Sequence, residues 1–226
     1  MIAITATAGW RTAHAGAAIG VLEVSGADNT GNSPALNERK RKVEARLRET
    51  YRGYARKDFI ALPVMAAYQA YYRRFEKTYH VQLQLESIVL KQKSLPDVSP
   101  LVDANFIAEV ETLVLTAGHD ADRLHAPVVI DVSQADDQMT PMNGAARLIR
   151  AGDMVMRDRD GVSCSIIYGQ DNRSPISPAT SSALYIAYAP PGVPADSVQS
   201  QLNGIWENIR LFAPQARLEQ NMLIRA

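Results

Sequence analysis

The spacing of apolar residues divides the chain into a helical first half and a strand-rich second half. Apolar residues three and four positions apart predict helices that begin at Pro34, Pro63, Val81 and Pro100, and a last one over 195–212. Short apolar runs predict strands at Val128–Val132, Met154–Asp158, Val162–Tyr168, Ala183–Ala189 and 218–224, and two more around a turn between Ile2 and Val24. This order predicts an α+β fold: one mixed α/β domain with an N-terminal strand and helix extension.

The segment from Leu95 to Leu124 combines apolar periodicity with polar residues that invite a chemical explanation. Ser99 and Pro100 predict a helix start, because the serine hydroxyl can accept a backbone N–H and the proline needs no acceptor. Asn105 falls on or beside the buried stripe of this helix, where an amide needs hydrogen-bond partners. We expect a short strand at 113–115, followed by a turn at 118–120.

The order of these motifs resembles the B3/B4 domain, the editing domain of the phenylalanyl-tRNA synthetase beta subunit, which also occurs as free-standing proteins. The motifs are Val-Asp-x-Asn at 102–105, Gly-x-Asp-x-Asp-x-Leu at 118–124, Gly-Asp-Met-Val at 152–155, the hairpin at 158–162, the polar loop at 168–174 and Ile-x-x-x-Thr at 176–180. The resemblance covers roughly 62–189. It implies a B3/B4-type domain over 33–226, with residues 1–32 packed on it as N-terminal strands and a loop.

The resemblance also implies where an amino-acid pocket should lie. Asn105 matches the family asparagine, Asp171 approximates the pocket acid, and 182–189 matches the strand that walls the amino acid. The family's pocket histidine falls near His119, although Ala117 aligns equally well. We therefore expect the pocket to be formed by residues from separate segments, with no catalytic residue assigned. The candidates are Asn105, His119, Asp171, Arg173 and Thr180.

The resemblance implies hydrolysis of mischarged aminoacyl-tRNA. An aminoacyl-tRNA is an activated ester, so a positioned water and a stabilised oxyanion suffice for its hydrolysis. The chain would then be an aminoacyl-tRNA deacylase and not a complete aminoacyl-tRNA ligase, with tRNA or aminoacyl-tRNA as partner and no DNA. Two alternatives stay open: a non-catalytic tRNA- or RNA-binding module, and a binding domain for a free amino acid or related amine.

The charges of the 226 residues sum to zero but are distributed unevenly. Residues 1–100 carry 15 Lys and Arg against 9 Asp and Glu, whereas 101–226 carry 9 against 15. Much of the excess lies in 39–57, where Arg41, Arg48 and Arg52 are candidates for contacts with tRNA phosphates. The alternative is a solvated helix face opposite an apolar stripe. The tyrosines after Pro63 are likewise either a stacking platform for bases or, as we favour, core residues.

Several other site types find little support in the sequence. Cys164 is the only cysteine, which precludes an internal disulfide and suits the cytoplasm. It falls mid-strand, so we expect a buried residue and not a nucleophile. His119, Asp120, Asp122 and His125 cluster within seven positions, but aspartates in such turns usually accept backbone amides, and we expect no metal. No glycine-rich phosphate loop opens a helix, no cofactor is expected, and no apolar run is long enough for a membrane span.

Overall fold

The computed structural model describes all 226 residues as seven α-helices and eleven strands. The helices are α1 (Ala8–Ala13), α2 (Pro34–Thr50), α3 (Arg56–Ile60), α4 (Pro63–Arg73), α5 (His80–Val89), α6 (Pro100–Thr112) and α7 (Ala195–Arg210). The strands are β1 (Ile4–Ala6), β2 (Ala18–Ser25), β3 (Thr116–Asp120), β4 (Val128–Val132), β5 (Gln138–Met139), β6 (Arg147–Leu148), β7 (Met154–Asp158), β8 (Gly161–Ser165), β9 (Gly169–Gln170), β10 (Ala183–Ala189) and β11 (Arg217–Arg225). The mixed α/β fold class is confirmed.

The strands form two larger sheets and one small ribbon. One sheet has the order β1-β4-β7-β8-β9, and the other has the order β11-β2-β10-β3. The β1–β4 pair is parallel, and every other pair is antiparallel. β5 and β6 pair only with each other. Strand β10 is buried along its whole length, because β2 and β3 pair with its two edges and its faces are covered.

The N-terminal segment supplies strands to both larger sheets. β1 pairs with β4, and β2 lies between β10 and β11. A strand, a turn and a second strand were expected here. The two strands are present, but the expected turn is wrong, because a short helix, α1, separates them. The boundary between an N-terminal extension and the main domain at residues 32 and 33 stays a prediction. β2, which precedes this boundary, is an interior strand of the sheet β11-β2-β10-β3.

The predicted helices are confirmed, with shifts at some ends. α2 begins at Pro34, and the Ser33 hydroxyl accepts the N–H of Leu36. The helix from Pro63 ends at Arg73, and α3, which the sequence pattern did not predict, precedes it. The tyrosines of α4 belong to the core, as favoured: the Tyr68, Tyr71 and Tyr72 side chains are buried, and each hydroxyl forms a hydrogen bond. None of the helices combines the length and apolar character needed to cross a membrane.

Three local expectations around α6 were wrong. Ser99 does precede the helix, but its hydroxyl is buried without a partner, and the Asp103 carboxylate instead accepts the N–H of Val98. Residues 113–115 connect α6 to the sheet and are not a strand; Leu113 ends the helix with a left-handed φ of 64°. Residues 118–120 lie within β3 and not in a turn, because they pair with β10.

Candidate functional site

A cavity of about 330 Å³ lies between α6, the β3–β10 side of one sheet and the β8–β9 end of the other. Most of its lining is apolar, including Phe106, Ile176 and Tyr185. Gly118 belongs to this wall, and a Cβ atom there would lie 2.9 Å from Ile176 Cδ1 and 3.1 Å from Tyr185 Cε1. A side chain at this position would therefore force Ile176 or Tyr185 to shift. The volume lies at the lower end of the range typical of small-molecule pockets.

Asn105 is the one sequence-predicted site residue in the cavity wall, and its amide also joins three elements. Its Nδ2 donates to the Thr116 carbonyl oxygen at 3.0 Å, and its Oδ1 accepts from Gln201 Nε2 at 3.1 Å. Gln201 on α7 also donates to Thr116 Oγ1 at 3.0 Å. These bonds meet the requirement that a buried amide be partnered. They fix Asn105 in one orientation at the wall.

Gln170, at the end of β9, is a second polar residue of the wall. Its Nε2 donates to the Ser174 carbonyl oxygen at 2.7 Å and lies 3.1 Å from His119 Nδ1. The side-chain carbonyl of Gln170 accepts no hydrogen bond from the protein, so this oxygen is the free end of a fixed amide. Because a carbonyl oxygen accepts hydrogen bonds, it suits an ammonium group or a water molecule.

His119 lies behind Gln170 and does not line the cavity. Its Nδ1 is 2.8 Å from Ser174 Oγ, which itself donates to Asp171 Oδ1 at 2.9 Å. Ser174 Oγ and Gln170 Nε2 therefore both lie within hydrogen-bond distance of Nδ1. Nε2 is buried without a partner, and burial lowers the pKa of His119 to about 3. His119 is therefore a neutral ring at physiological pH.

The other three candidate residues lie outside the cavity. Asp171 and Arg173 border a separate shallow depression, with Arg173 Nε 2.6 Å from Asp171 Oδ2. Arg173 also donates to both carboxylate oxygens of Asp158. Thr180 Oγ1 donates to Asp120 Oδ2 at 2.7 Å and accepts the N–H of Ser177. The structure thus brings Asp171 and Arg173 together with each other but not with Asn105.

Strand pairing places Gln170, and not Asp171, at the cavity. The Gln170 side chain borders it, whereas the Asp171 carboxylate turns to Arg173 and Ser174. β9 pairs with β8 through Gln170 and Cys164, and both residues line the cavity. A sequence argument that weighed charge favoured the aspartate. The sequence also shows a polar side chain next to it, at Gln170. Only the pairing of β9 with β8 shows which of Gln170 and Asp171 faces the cavity.

The cavity wall holds no activated serine or cysteine. Burial raises the pKa of the Cys164 thiol to about 12, so the buried position expected for this cysteine is confirmed and it is not a thiolate at neutral pH. Ser165 Oγ donates to Asp153 Oδ2 and accepts the N–H of Tyr168. The Tyr188 hydroxyl is buried against the Cys164 thiol and has no nitrogen or oxygen partner. The groups left free are thus the Gln170 carbonyl oxygen, the Tyr188 hydroxyl and the His80 imidazole, whose pKa is lowered by burial and whose Nε2 forms no hydrogen bond within the protein.

The three arginines proposed for tRNA contacts are each held by the protein. Arg41 contacts Glu44 at 2.8 Å, and Arg52 pairs with Glu49. Arg48 donates to the carbonyl oxygens of Ile88 and Lys93 at 3.2 and 3.0 Å. The opposite face of α2 is buried through Leu36, Val43 and Leu47, as the apolar stripe indicates. These contacts use part of the donor capacity that phosphates would need.

The metal candidates of the sequence do not form one cluster. The Asp120 carboxylate accepts the N–H of Asp122 at 3.1 Å and caps a short 3₁₀ turn, as expected of aspartates in turns. His125 instead lies beside Asp158 and Asp160, with their ligand atoms within 4.8 Å of one another. Arg173 pairs with both of these aspartates. Its guanidinium thus already neutralises much of the negative charge that a cation would use.

Comparison with known proteins agrees with this architecture. The chain matches the family model of the B3/4 domain over residues 65–201. A crystal structure of an N-terminal fragment of the phenylalanyl-tRNA synthetase beta subunit from Pyrococcus horikoshii has a TM-score of 0.50 and 8% sequence identity. The alignment covers 100% of this chain and 55% of that one, so this chain spans about half the length of that fragment. No curated protein sequence matches it. Because the matched segment contains the helix, strands and loop that build the cavity, the chain belongs to the B3/4 domain family.

Proposed function

We propose that this chain is an editing-type domain that hydrolyses mischarged aminoacyl-tRNA. The observation that carries the proposal is the cavity: it is partly open, mostly apolar, and faced by fixed amides, with no ionised thiol in its wall. An apolar cavity suits an amino-acid side chain, and a fixed carbonyl oxygen suits the α-ammonium group. The resemblance between this family and the synthetase beta subunit supports tRNA as the carrier of that amino acid.

The proposed reaction needs no covalent intermediate with the protein. A water molecule adds to the ester carbonyl carbon, the bond to the ribose oxygen breaks, and that oxygen takes up a proton. The products are a free amino acid and uncharged tRNA. Gln170 is proposed to orient the substrate through its side-chain carbonyl, in the role that the sequence assigned to Asp171. His119 then acts as a positioning residue, since its ring lies against the amide of Gln170.

The test is a deacylation screen across mischarged tRNAs with two variants and a control. Ala117, half-buried in the cavity wall, is replaced with leucine to fill the cavity, and Gln170 with methionine to remove the free oxygen. Ala70→Leu, on the exposed face of α4, adds the same volume away from the cavity. We expect Ala117→Leu to abolish deacylation, Gln170→Met to reduce it, and Ala70→Leu to leave it unchanged.

A second function has one observation in its favour. Both ends of the Asn105 amide form a hydrogen bond within the protein, so this residue shapes the cavity wall by holding α6, β3 and α7 together. That arrangement also suits a cavity that binds without catalysis. If the wild-type protein binds tRNA but deacylates none of the tested substrates, the domain is an RNA-binding module. If it binds free amino acids but no tRNA, it is an amino-acid-binding domain.

A further inference from the structure

The end of α4 and the loop that joins it to α5 carry exposed cations that have few partners in the protein. Arg73 and Lys77 are exposed and take part in no ion pair. The Arg74 guanidinium lies over the rings of Tyr71 and Phe75, at 5.1 and 5.5 Å, and donates to the Gly152 carbonyl oxygen. No carboxylate pairs with Arg74. In contrast to the arginines of α2, these side chains keep most of their charge uncompensated.

A fourth cation joins this loop from the other half of the chain. Arg150, in the segment before β7, is half-exposed and lies 3.5 Å from Glu76, whose side chain is itself 82% exposed. Arg73, Arg74, Lys77 and Arg150 thus give four positive charges against one negative charge in one neighbourhood. We call these four residues the basic patch. Burial is the larger cause of the lowered pKa of His14, and the charge of Arg74 is the second, as expected where the local potential is positive.

The basic patch lies directly beside the cavity. Lys77 precedes the cavity residue His80 by three positions, which limits their separation to about 11 Å. The ring under Arg74 belongs to Tyr71, whose hydroxyl donates to Asp153 at 2.6 Å. Asp153 in turn accepts from Ser165 in the cavity wall. The patch and the cavity therefore share one layer of side chains.

The patch is rigid and polar. Backbone hydrogen bonds from Phe75, Glu76 and Lys77 back to the end of α4 fix the loop. Its aromatic rings are buried, so the exposed residues between Arg73 and Thr78 are all polar. A surface without exposed apolar side chains lacks the groups that insert into a bilayer or fill the core of a protein interface. Exposed cations on a rigid loop suit a polyanion.

We propose that the basic patch binds the phosphates of an RNA strand whose end enters the cavity. This inference rests on the proposed function, because it is the proposed substrate that places an RNA end at the cavity. It assigns the RNA contact to the α4–α5 loop and Arg150, and not to the arginines of α2. Each cation in contact with a phosphate contributes a salt-dependent part of the affinity.

The test compares two triple variants for binding to bulk uncharged tRNA over a range of salt concentrations. The patch variant is Arg73→Gln, Lys77→Gln, Arg150→Gln, which spares Arg74 because that residue packs on two rings. The control is Arg41→Gln, Lys42→Gln, Arg52→Gln, which removes the same charge from α2 and the turn that follows it. We expect weaker binding by the patch variant and a log–log salt slope smaller by roughly 2–3, at about 0.7–0.9 per contact. The control should retain the wild-type slope.

A charge-conserving variant, Arg73→Lys, Lys77→Arg, Arg150→Lys, should restore the slope, which separates a charge effect from a folding effect. Equal losses in the patch and α2 variants, a loss in the α2 variant alone, or no tRNA binding by the wild type would overturn the inference. A patch variant that binds normally while Ala117→Leu still abolishes deacylation would overturn this inference alone. If the patch variant binds tRNA poorly and the wild type deacylates none of the tested tRNAs, only the proposed hydrolase activity is overturned.

Discussion

Glu109, on the buried face of α6, makes the stability of this protein dependent on pH. Its side chain is buried, and the N–H of Thr116 donates to Oε1 at 2.9 Å. No cation faces it: its surroundings include the phenols of Tyr68, Tyr72 and Tyr79. Burial therefore raises the pKa of Glu109 from 4.5 to about 8, and the Thr116 amide offsets only part of this. The carboxyl group is protonated in the folded protein at neutral pH.

The sign of the effect follows from proton binding. Between pH 4.5 and 8 the unfolded chain loses this proton while the folded protein keeps it, so the free energy of unfolding falls as the pH rises. The full contribution is present below pH 4.5, and the loss is complete above pH 8. With about 1.4 kcal/mol per pKa unit, the expected loss between pH 5 and 8 is about 3 kcal/mol.

Glu109→Gln keeps the size and the acceptor for Thr116 but removes the titration. We expect the variant to gain stability over the wild type by about 3 kcal/mol between pH 5 and 8. Urea unfolding at several pH values, followed by tryptophan fluorescence, measures this difference. Glu207→Gln, at an exposed position of α7, is the control and should track the wild type. Parallel stability curves for wild type and Glu109→Gln would refute the argument, because they would mean that Glu109 is ionised in the folded state.

Three further predictions address other buried groups. Tyr188→Phe should change the free energy of unfolding by less than about 1 kcal/mol or raise it, because the hydroxyl is buried without a nitrogen or oxygen partner; a larger loss in urea unfolding would reveal a bond to that hydroxyl. Burial and, to a smaller extent, the charge of Arg74 lower the pKa of His14 to about 4. The free energy of unfolding should therefore fall as the pH falls from 6.5 to 4, and His14→Phe should flatten that decline in thermal unfolding. Gly118→Ala should displace Ile176 or Tyr185 and cost about 1–3 kcal/mol, whereas the same substitution at exposed Gly144 should not.

The sequence by itself determined the elements that carry strong local signals. The strands at 128–132, 154–158 and 183–189 were predicted with their observed bounds, because each is an apolar run flanked by residues that favour turns or loops. Prolines set the starts of α2, α4 and α6, since proline tolerates the first helical position and no interior one. The order of motifs also identified the family. These features depend on residues close together in the chain.

Only the tertiary structure decided which polar residues meet. Asn105, on a helix, reaches the cavity because α6 packs beside β3, and Gln170 reaches it because β9 pairs with β8. Asp171, the adjacent residue, projects elsewhere and joins Arg173. Likewise, Gly118 and His119 lie in a strand because β10 offers them an edge. Pairing partners far apart in sequence fix which side of a strand is buried, and this information is absent from the local pattern.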